Sequence, residues 1–279
     1  MCLTERTWQA APIAILGLPW DEGSSFLRGA AGAPARIREA LHCGSANLCA
    51  ENGLDLAADT HWSDLGDVTL ASGAAGRAQI EDAVASLLAQ GTRVLALGGD
   101  HSVTYPILRA YARAYSGLNV LQLDAHPDLY DEYEGDRFSH ACPFARIMEE
   151  ELATRLVQVG VRTANPHQRQ QAARFGVCMV EMRHWRPDLS LDLHAPLYLS
   201  LDLDALDPAF APGVSHHEPG GLSTREVLRI IGSLPAPLVG ADIVECNPQR
   251  DPSGITAMLA AKLLKELLAA LLASPTWNI

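Results

Sequence analysis

The chain of 279 residues has little positive charge and few aromatic side chains. It carries 21 Lys and Arg residues against 33 Asp and Glu, a formal net charge of −12. That balance argues against nucleic acid or an anionic membrane surface as a partner. Phe, Trp and Tyr make up 6% of the residues and are scattered, so there is no stacking platform for bases. No run of about 18 apolar residues occurs, and the reading is that nothing spans a membrane. The opening stretch MCLTERTWQAAP lacks the basic and apolar regions of a secretory signal. The six cysteines (Cys2, Cys43, Cys49, Cys142, Cys178 and Cys246) form no C-x-x-C pair, which predicts free thiols and a cytoplasmic enzyme.

What is present is the composition of a globular protein, 48% hydrophobic and 19% charged, in a length suited to one α/β domain over residues 1–279. Short continuous apolar runs predict strands at Ile13–Leu18, Arg93–Leu97, Val120–Leu123, Val157–Val161, Leu197–Leu203 and Val239–Val244. Helical spacing appears at Gln79–Gln90, Tyr105–Ala114 and Thr224–Ser233, the last capped by Ser223 or Thr224. A further helix at Ala257–Ala273 carries Lys262, Lys265 and Glu266, as a packed surface helix would. The alternation predicts βαβ units: a mainly parallel central sheet between helices, a three-layer α/β/α sandwich. In such sheets ligands bind beyond the carboxyl ends of the strands.

Three of those ends carry acids and histidines. Arg93–Leu97 runs into Gly98-Gly99-Asp100-His101. Val120–Leu123 runs into Asp124-Ala125-His126-Pro127-Asp128. Leu197–Leu203 contains Asp202 and meets Asp204, then Asp207-Pro208. In extended chain, alternate residues share a side, so Asp124, His126 and Asp128 are expected to converge, as are Asp202 and Asp204. Crowded carboxylates resist ionisation unless they share counter-charge, and few Lys or Arg residues flank these motifs. Metal ions are the simplest counter-charge. Four carboxylates and two imidazoles make a hard donor set that favours Mn²⁺ over structural zinc, with Ni²⁺, Co²⁺ and Fe²⁺ as alternatives. Six ligands (His101, Asp124, His126, Asp128, Asp202 and Asp204) suit two ions, which together activate water.

The motifs G-G-D-H-S, D-A-H-x-D and S-x-D-x-D-x-x-D-P, in this order, resemble those of the ureohydrolases, the arginase and agmatinase superfamily. The resemblance extends to Ser24–Gly29, Leu65–Val68, Val159–Arg162, Asp242–Glu245 and the stretch Phe138–Phe144. Within the superfamily, Glu134–Glu149, Gly213–Ser223 and Asn247–Asp251 are most similar to plant-type arginases. The resemblance implies two Mn²⁺ per chain, hydrolysis of a guanidino substrate to urea and an amine, and a homotrimer or homohexamer. It assigns His140 as the catalytic histidine and Glu245 as the carboxylate for a bidentate guanidinium pair. Ala141 stands where the family often has glycine. Asp100 is a candidate catalytic or ligand-orienting acid. Tyr130 and His217 are candidates for the substrate rim, with His216 beside it. Asp131, Glu132, Glu134 and Asp136 make the loop after Tyr130 acidic, which suits a cationic amine tail and tilts the expected substrate to agmatine. Arginine and guanidinobutyrate are the alternatives. A mononuclear zinc deacetylase, a two-metal phosphatase and a non-catalytic metal-binding scaffold are the competing classes.

Overall fold

A computed structural model describes residues 11–275; the opening residues read above as lacking a leader, and Cys2, lie outside the described part. Eight strands form a single sheet: β1 (Ile13–Gly17), β2 (Trp62–Asp67), β3 (Arg93–Leu97), β4 (Asn119–Leu123), β5 (Arg155–Val161), β6 (Cys178–Glu181), β7 (Leu197–Asp202) and β8 (Leu238–Val244). Their order is β2-β1-β3-β8-β7-β4-β5-β6, and every pairing is parallel. Seven α-helices cover it: α1 (Ala33–Leu41), α2 (Gly73–Leu88), α3 (Thr104–Ala114), α4 (Pro143–Glu149), α5 (Pro166–Phe175), α6 (Thr224–Gly232) and α7 (Ile255–Ala273).

The continuous apolar runs arise because both faces of the inner strands are covered. Ile13 and Ile15 of β1, with Leu95 and Leu97 of β3, pack into a core that includes α1, α6 and α7. The alternate residues Ala14, Leu16, Val94 and Ala96 pack into a second core with α2, α3 and α4. A strand buried on both sides cannot alternate with polar residues.

The two strands without such a run are β2 and β6, the sheet edges. Their residues are only half-buried or exposed, so they carry no continuous apolar signal. Helix α2 begins six residues earlier than its apolar spacing suggests, through Gly73-Ala74-Ala75-Gly76, where small residues leave little periodicity to read. Helix α5 buries only Gln168, Gln171 and Ala172, and α4 is seven residues long; neither shows an apolar stripe. Helix α7 is more deeply packed than a surface helix, with eleven buried residues from Thr256 to Leu271. Its charged edge faces the Cys43–Leu54 loop, where Lys265 Nζ donates to the Asn47 carbonyl at 2.8 Å.

Strand β4 does not pair with β3; β8 and β7, supplied much later in the chain, lie between them. The carboxyl ends of β3, β8, β7 and β4 are therefore consecutive along one edge, a topological switch point where an α/β sheet opens a crevice.

Ser223 caps α6 with a full capping box: its side chain accepts from Glu226 N–H, and Glu226 returns to the Ser223 N–H at 2.8 Å. Ser223→Ala should lower unfolding stability by about 1 kcal/mol, read as a lower urea midpoint with an unchanged slope.

Candidate functional site

The six ligand candidates meet at that edge. His101 opens a 3-10 turn directly after β3, and its position depends on the Gly98-Gly99 pair. A Cβ on Gly99 would run into the Trp20 carbonyl, so only glycine lets the two backbones pass. The His101 ring is buried, with Nδ1 3.0 Å from Asp124 Oδ2 and 3.1 Å from both Asp128 Oδ2 and Asp202 Oδ2. His126 Nδ1 lies 3.0 Å from Asp204 Oδ2 and 3.5 Å from Asp124 Oδ1. Two overlapping groups result, His101–Asp124–Asp202 and Asp124–His126–Asp204, each with donor atoms close enough to share one ion. Asp124 belongs to both and can bridge a pair of ions.

The convergence does not come from extended chain. Asp124 Oδ1 accepts from the His126 N–H at 2.6 Å, and Asp128 has φ 50°, so the segment turns back on itself. Asp202 likewise accepts from the Asp204 N–H at 2.7 Å and caps a 3-10 turn, Leu203–Ala205. Aspartate side chains commonly form such turns with the backbone two residues on. Gln122 Nε2, donating to Asp124 Oδ2 at 2.6 Å, and Ala125 N–H, donating to Asp204 Oδ1 at 3.1 Å, steady the carboxylates from behind.

Electrostatics point to a cation. Burial and the Asp204 and Asp124 charges push Asp202 well above the usual carboxylate range. Burial and Asp124 push Asp128 up to about 6. Burial opposes a charge on His101, yet contacts with Asp124, Asp128 and Asp202 override it and raise its pKa well above the ordinary value. The donor chemistry fits metal as well. His101 Nδ1 is a buried nitrogen with no aligned hydrogen bond, although three carboxylates surround it. Its other nitrogen, Nε2, is already engaged by Ser200 Oγ at 2.9 Å.

Above this cluster opens a cleft of about 680 Å³, lined by Ser25, His126, Asp128, Tyr130, His140, Asp202, Asp204, His216 and Glu245 among others. Glu245 follows β8 with φ 64°, an uncommon conformation for a side-chain-bearing residue. Its Oε1 accepts from the His101 N–H at 2.9 Å and from His140 Nδ1 at 2.8 Å. The hydrogen bonds described leave Oε2 to the cleft. Although burial opposes ionisation, His140 holds the Glu245 carboxyl below its usual range. Burial works against a charged His140 too, but Glu245 prevails and raises its pKa to about 9. His140 Nε2 faces Ser25, 2.9 Å from Oγ and 3.2 Å from the backbone N–H. The N–H contact makes Nε2 an acceptor when the ring is neutral, with its proton on Nδ1 toward Glu245.

Two expected residues are placed differently. Asp100 is fully buried and does not line the cleft. It caps the turn bearing His101 by accepting from the Ser102 N–H at 3.0 Å, and it also accepts from Ser24 Oγ at 3.2 Å. Burial and the Glu245 charge push it up to about 6. His217 points away from the cleft and donates Nε2–H to the Pro212 carbonyl at 2.7 Å. Its neighbour His216 is the one that enters, 5.4 Å from the His140 ring and 5.6 Å from that of His126. Two adjacent histidines in an irregular loop give no period from which to choose between them. Tyr130 does line the cleft, with its hydroxyl accepting from Asn165 Nδ2 at 2.6 Å. Ser25, Thr163 and Gln168 also line it and were not expected. They come from three separate loop and helix starts; Ser25 lies in the Ser24–Gly29 stretch of the resemblance without a role assigned, and no motif marks Thr163 or Gln168. A second cleft of about 630 Å³, between Trp185 and Leu234, has only Glu226 and Arg229 as charged lining and no acid–histidine group.

Comparison with known proteins agrees with this geometry. The arginase family model matches residues 11–270. The chain is 47% identical over 277 residues to "Arginase 1, mitochondrial" of Arabidopsis thaliana, covering 93% of this chain and 81% of that protein. It is 38% identical to "Guanidino acid hydrolase, mitochondrial" of Homo sapiens, covering 92% and 78%. The solved arginase of Medicago truncatula superposes with a TM-score of 0.88 at 42% identity, covering 95% of this chain and 89% of that one. The chain belongs to the arginase family of binuclear-metal ureohydrolases. The cytoplasmic location expected from its cysteines and opening residues conflicts with these relatives, both mitochondrial by name, and does not stand.

Because Asp124 is common to both ligand groups, Asp124→Asn should weaken both ion sites, whereas Asp204→Asn should weaken one. Calorimetric titration of chelator-stripped protein with Mn²⁺ reads the two cases as loss of two sites or of one.

Proposed function

We propose that the chain hydrolyses L-arginine to ornithine and urea at the cleft over Asp124, with two Mn²⁺ ions held by His101, Asp124, Asp128 and Asp202 on one side and by Asp124, His126, Asp202 and Asp204 on the other. The observation that carries this reading is the 47% identity to a plant arginase along nearly the whole chain. The agmatine reading loses its support in the structure. Asp131 binds Gln171 Nε2 at 2.6 Å, Asp136 caps the Phe138 N–H at 2.8 Å, and Glu132 and Glu134 face solvent. None of the four lines the cleft to meet an amine tail. A guanidino acid is the second reading, supported by the similarity to the human hydrolase of that name.

The bound ions would lower the pKa of water and so supply a nucleophile near neutral pH. The chain's own residues do the rest. Glu245 offers Oε2 to the planar guanidinium; since Oε1 already accepts from His101 and His140, the pair forms through one oxygen, not two. The guanidinium carbon is a poor electrophile because its charge is delocalised, so orienting it is a large part of the catalysis. His140 sits over the same cleft, with Glu245 favouring its protonated form. From Nε2 it can pass a proton to the departing amine, with Ser25 holding the ring in place.

Urea release from a panel of L-arginine, agmatine and guanidino acids tests the assignment. Turnover of L-arginine should be the fastest and should disappear on chelation. A preference for agmatine would overturn it. His140→Ala should cut kcat by about 10²–10⁴-fold with Mn²⁺ content unchanged. Glu245→Gln should reduce guanidino turnover far more than it alters Mn²⁺ content; a fall in Mn²⁺ instead would make Glu245 a ligand or a structural residue.

A further inference from the structure

Beneath His101 lies a polar group that the reaction does not use. Asp242, in the middle of β8, is fully buried yet carries an acid. Three hydroxyls converge on it: Ser200 Oγ donates to Oδ1 at 2.7 Å, while Tyr198 Oη and Thr104 Oγ1 donate to Oδ2 at 2.9 and 3.0 Å. Ser200, on the neighbouring strand β7, also touches His101 Nε2 at 2.9 Å. A hydroxyl has a single proton to give. With that proton committed to Asp242, Ser200 Oγ can only accept from His101, so the ring proton sits on Nε2. In the neutral ring that a metal requires, Nδ1 is then the lone pair, placed among Asp124, Asp128 and Asp202.

We propose that Asp242 is a positioning residue that, through Ser200, locks His101 in the single tautomer able to bind metal. The inference rests on the reading of His101 as a ligand. It assigns a task to a buried acid that is not itself a ligand candidate. The hydrogen bond made by one imidazole nitrogen decides the state of the other, and partners behind a ligand histidine typically change metal affinity by about 10–100-fold. The carboxylate is required because it only accepts.

Asp242→Asn isolates that requirement. Tyr198 and Thr104 both donate to Oδ2, which fixes the amide oxygen on their side and turns the NH₂ group toward Ser200. The amide would donate to Ser200, whose proton would then go to His101 Nε2, forcing the ring proton to Nδ1 and blocking coordination. Tyr198→Phe and Thr104→Val each remove a hydroxyl from Asp242 but leave the Ser200 link, and so serve as controls for a purely structural role.

The full chain, stripped of metal and labelled with ¹⁵N-histidine, is examined by two-bond ¹H–¹⁵N correlation, with His101→Asn marking the relevant signals. Mn²⁺ titration by calorimetry follows. Recorded above the pH at which the metal-free ring loses its charge, the wild type should show His101 protonated at Nε2 and Asp242→Asn at Nδ1; Mn²⁺ binding in Asp242→Asn should be about 10–100-fold weaker at one site, with the other retained. Both controls should keep the wild-type tautomer and affinity. Ser200→Ala removes the relay and should weaken the same site, which decides the matter if Asp242→Asn does not fold. The proposal is overturned if Asp242→Asn or Ser200→Ala keeps the wild-type tautomer signature and affinity, or if the controls lose Mn²⁺ equally. A wild type that takes up no Mn²⁺ would sink the ligand reading, and the tautomer spectra would then decide the role of Asp242 separately.

Discussion

Carboxylates withdrawn from water at the carboxyl edge of the sheet are the constraint on which the site depends. Asp124, Asp128, Asp202 and Asp204 are each 6% exposed or less and lie around two imidazoles. Such a group is tolerable only with counter-charge, and among the described residues no lysine or arginine forms an ion pair with it. The surroundings are organised to hold the acids in place. Gln158 binds Gln122, which binds Asp124. The Arg162 guanidinium spends its donors on the carbonyls of Gly160, Asp204, Ala205, Leu206 and Glu218, tying the end of β5 to the turn that carries Asp204. A nearby cation is thereby fixed to backbone and not offered to the carboxylates.

Backbone strain also falls at this edge of the sheet. Asp128 and Glu245 both have positive φ, and both line the cleft. Each such conformation costs of order 1–3 kcal/mol and persists only where the surroundings impose it. For Glu245 the imposing contacts are visible: its N–H donates to the Gly99 carbonyl at 2.8 Å, and its side chain accepts from His101 and His140. One residue thus joins the ends of β3 and β8 to the loop carrying His140. The proposed guanidinium-binding oxygen, the proposed proton carrier and a metal-ligand candidate are coupled in position, so they cannot drift independently.

Farther from the metals the pocket is assembled from less constrained parts. Ser215 Oγ donates to the Leu27 carbonyl at 2.9 Å, and Asn247 Nδ2 donates to the same carbonyl at 2.7 Å, joining three loops around the rim. Phe26 lies 5.5 Å from His216, ring to ring, and His216 lines the cleft. Burial and the neighbouring His140 hold the His216 pKa below its ordinary value, which disfavours a charge on this ring. On the proposed function, discrimination at the far end of the substrate would fall to such rim residues, and the reaction class to the acids and histidines of the floor.

The amino-acid sequence by itself determined the inner strands, since burial on both faces forces continuous apolar runs, and it singled out the candidate ligand residues, since so many acids at strand ends need a cation. The edge strands β2 and β6 escaped because half-buried strands carry no such run. What only the tertiary structure decided is direction. Asp124, His126 and Asp128 converge through a backbone turn and a positive φ, not through strand alternation. His216 enters the cleft while His217 turns to the Pro212 carbonyl, and the acids after Tyr130 are engaged by Gln171 of α5 or by their own loop, or face solvent. In a loop, side-chain direction follows dihedral angles imposed by contacts with segments distant in sequence. No local pattern of residues encodes those contacts.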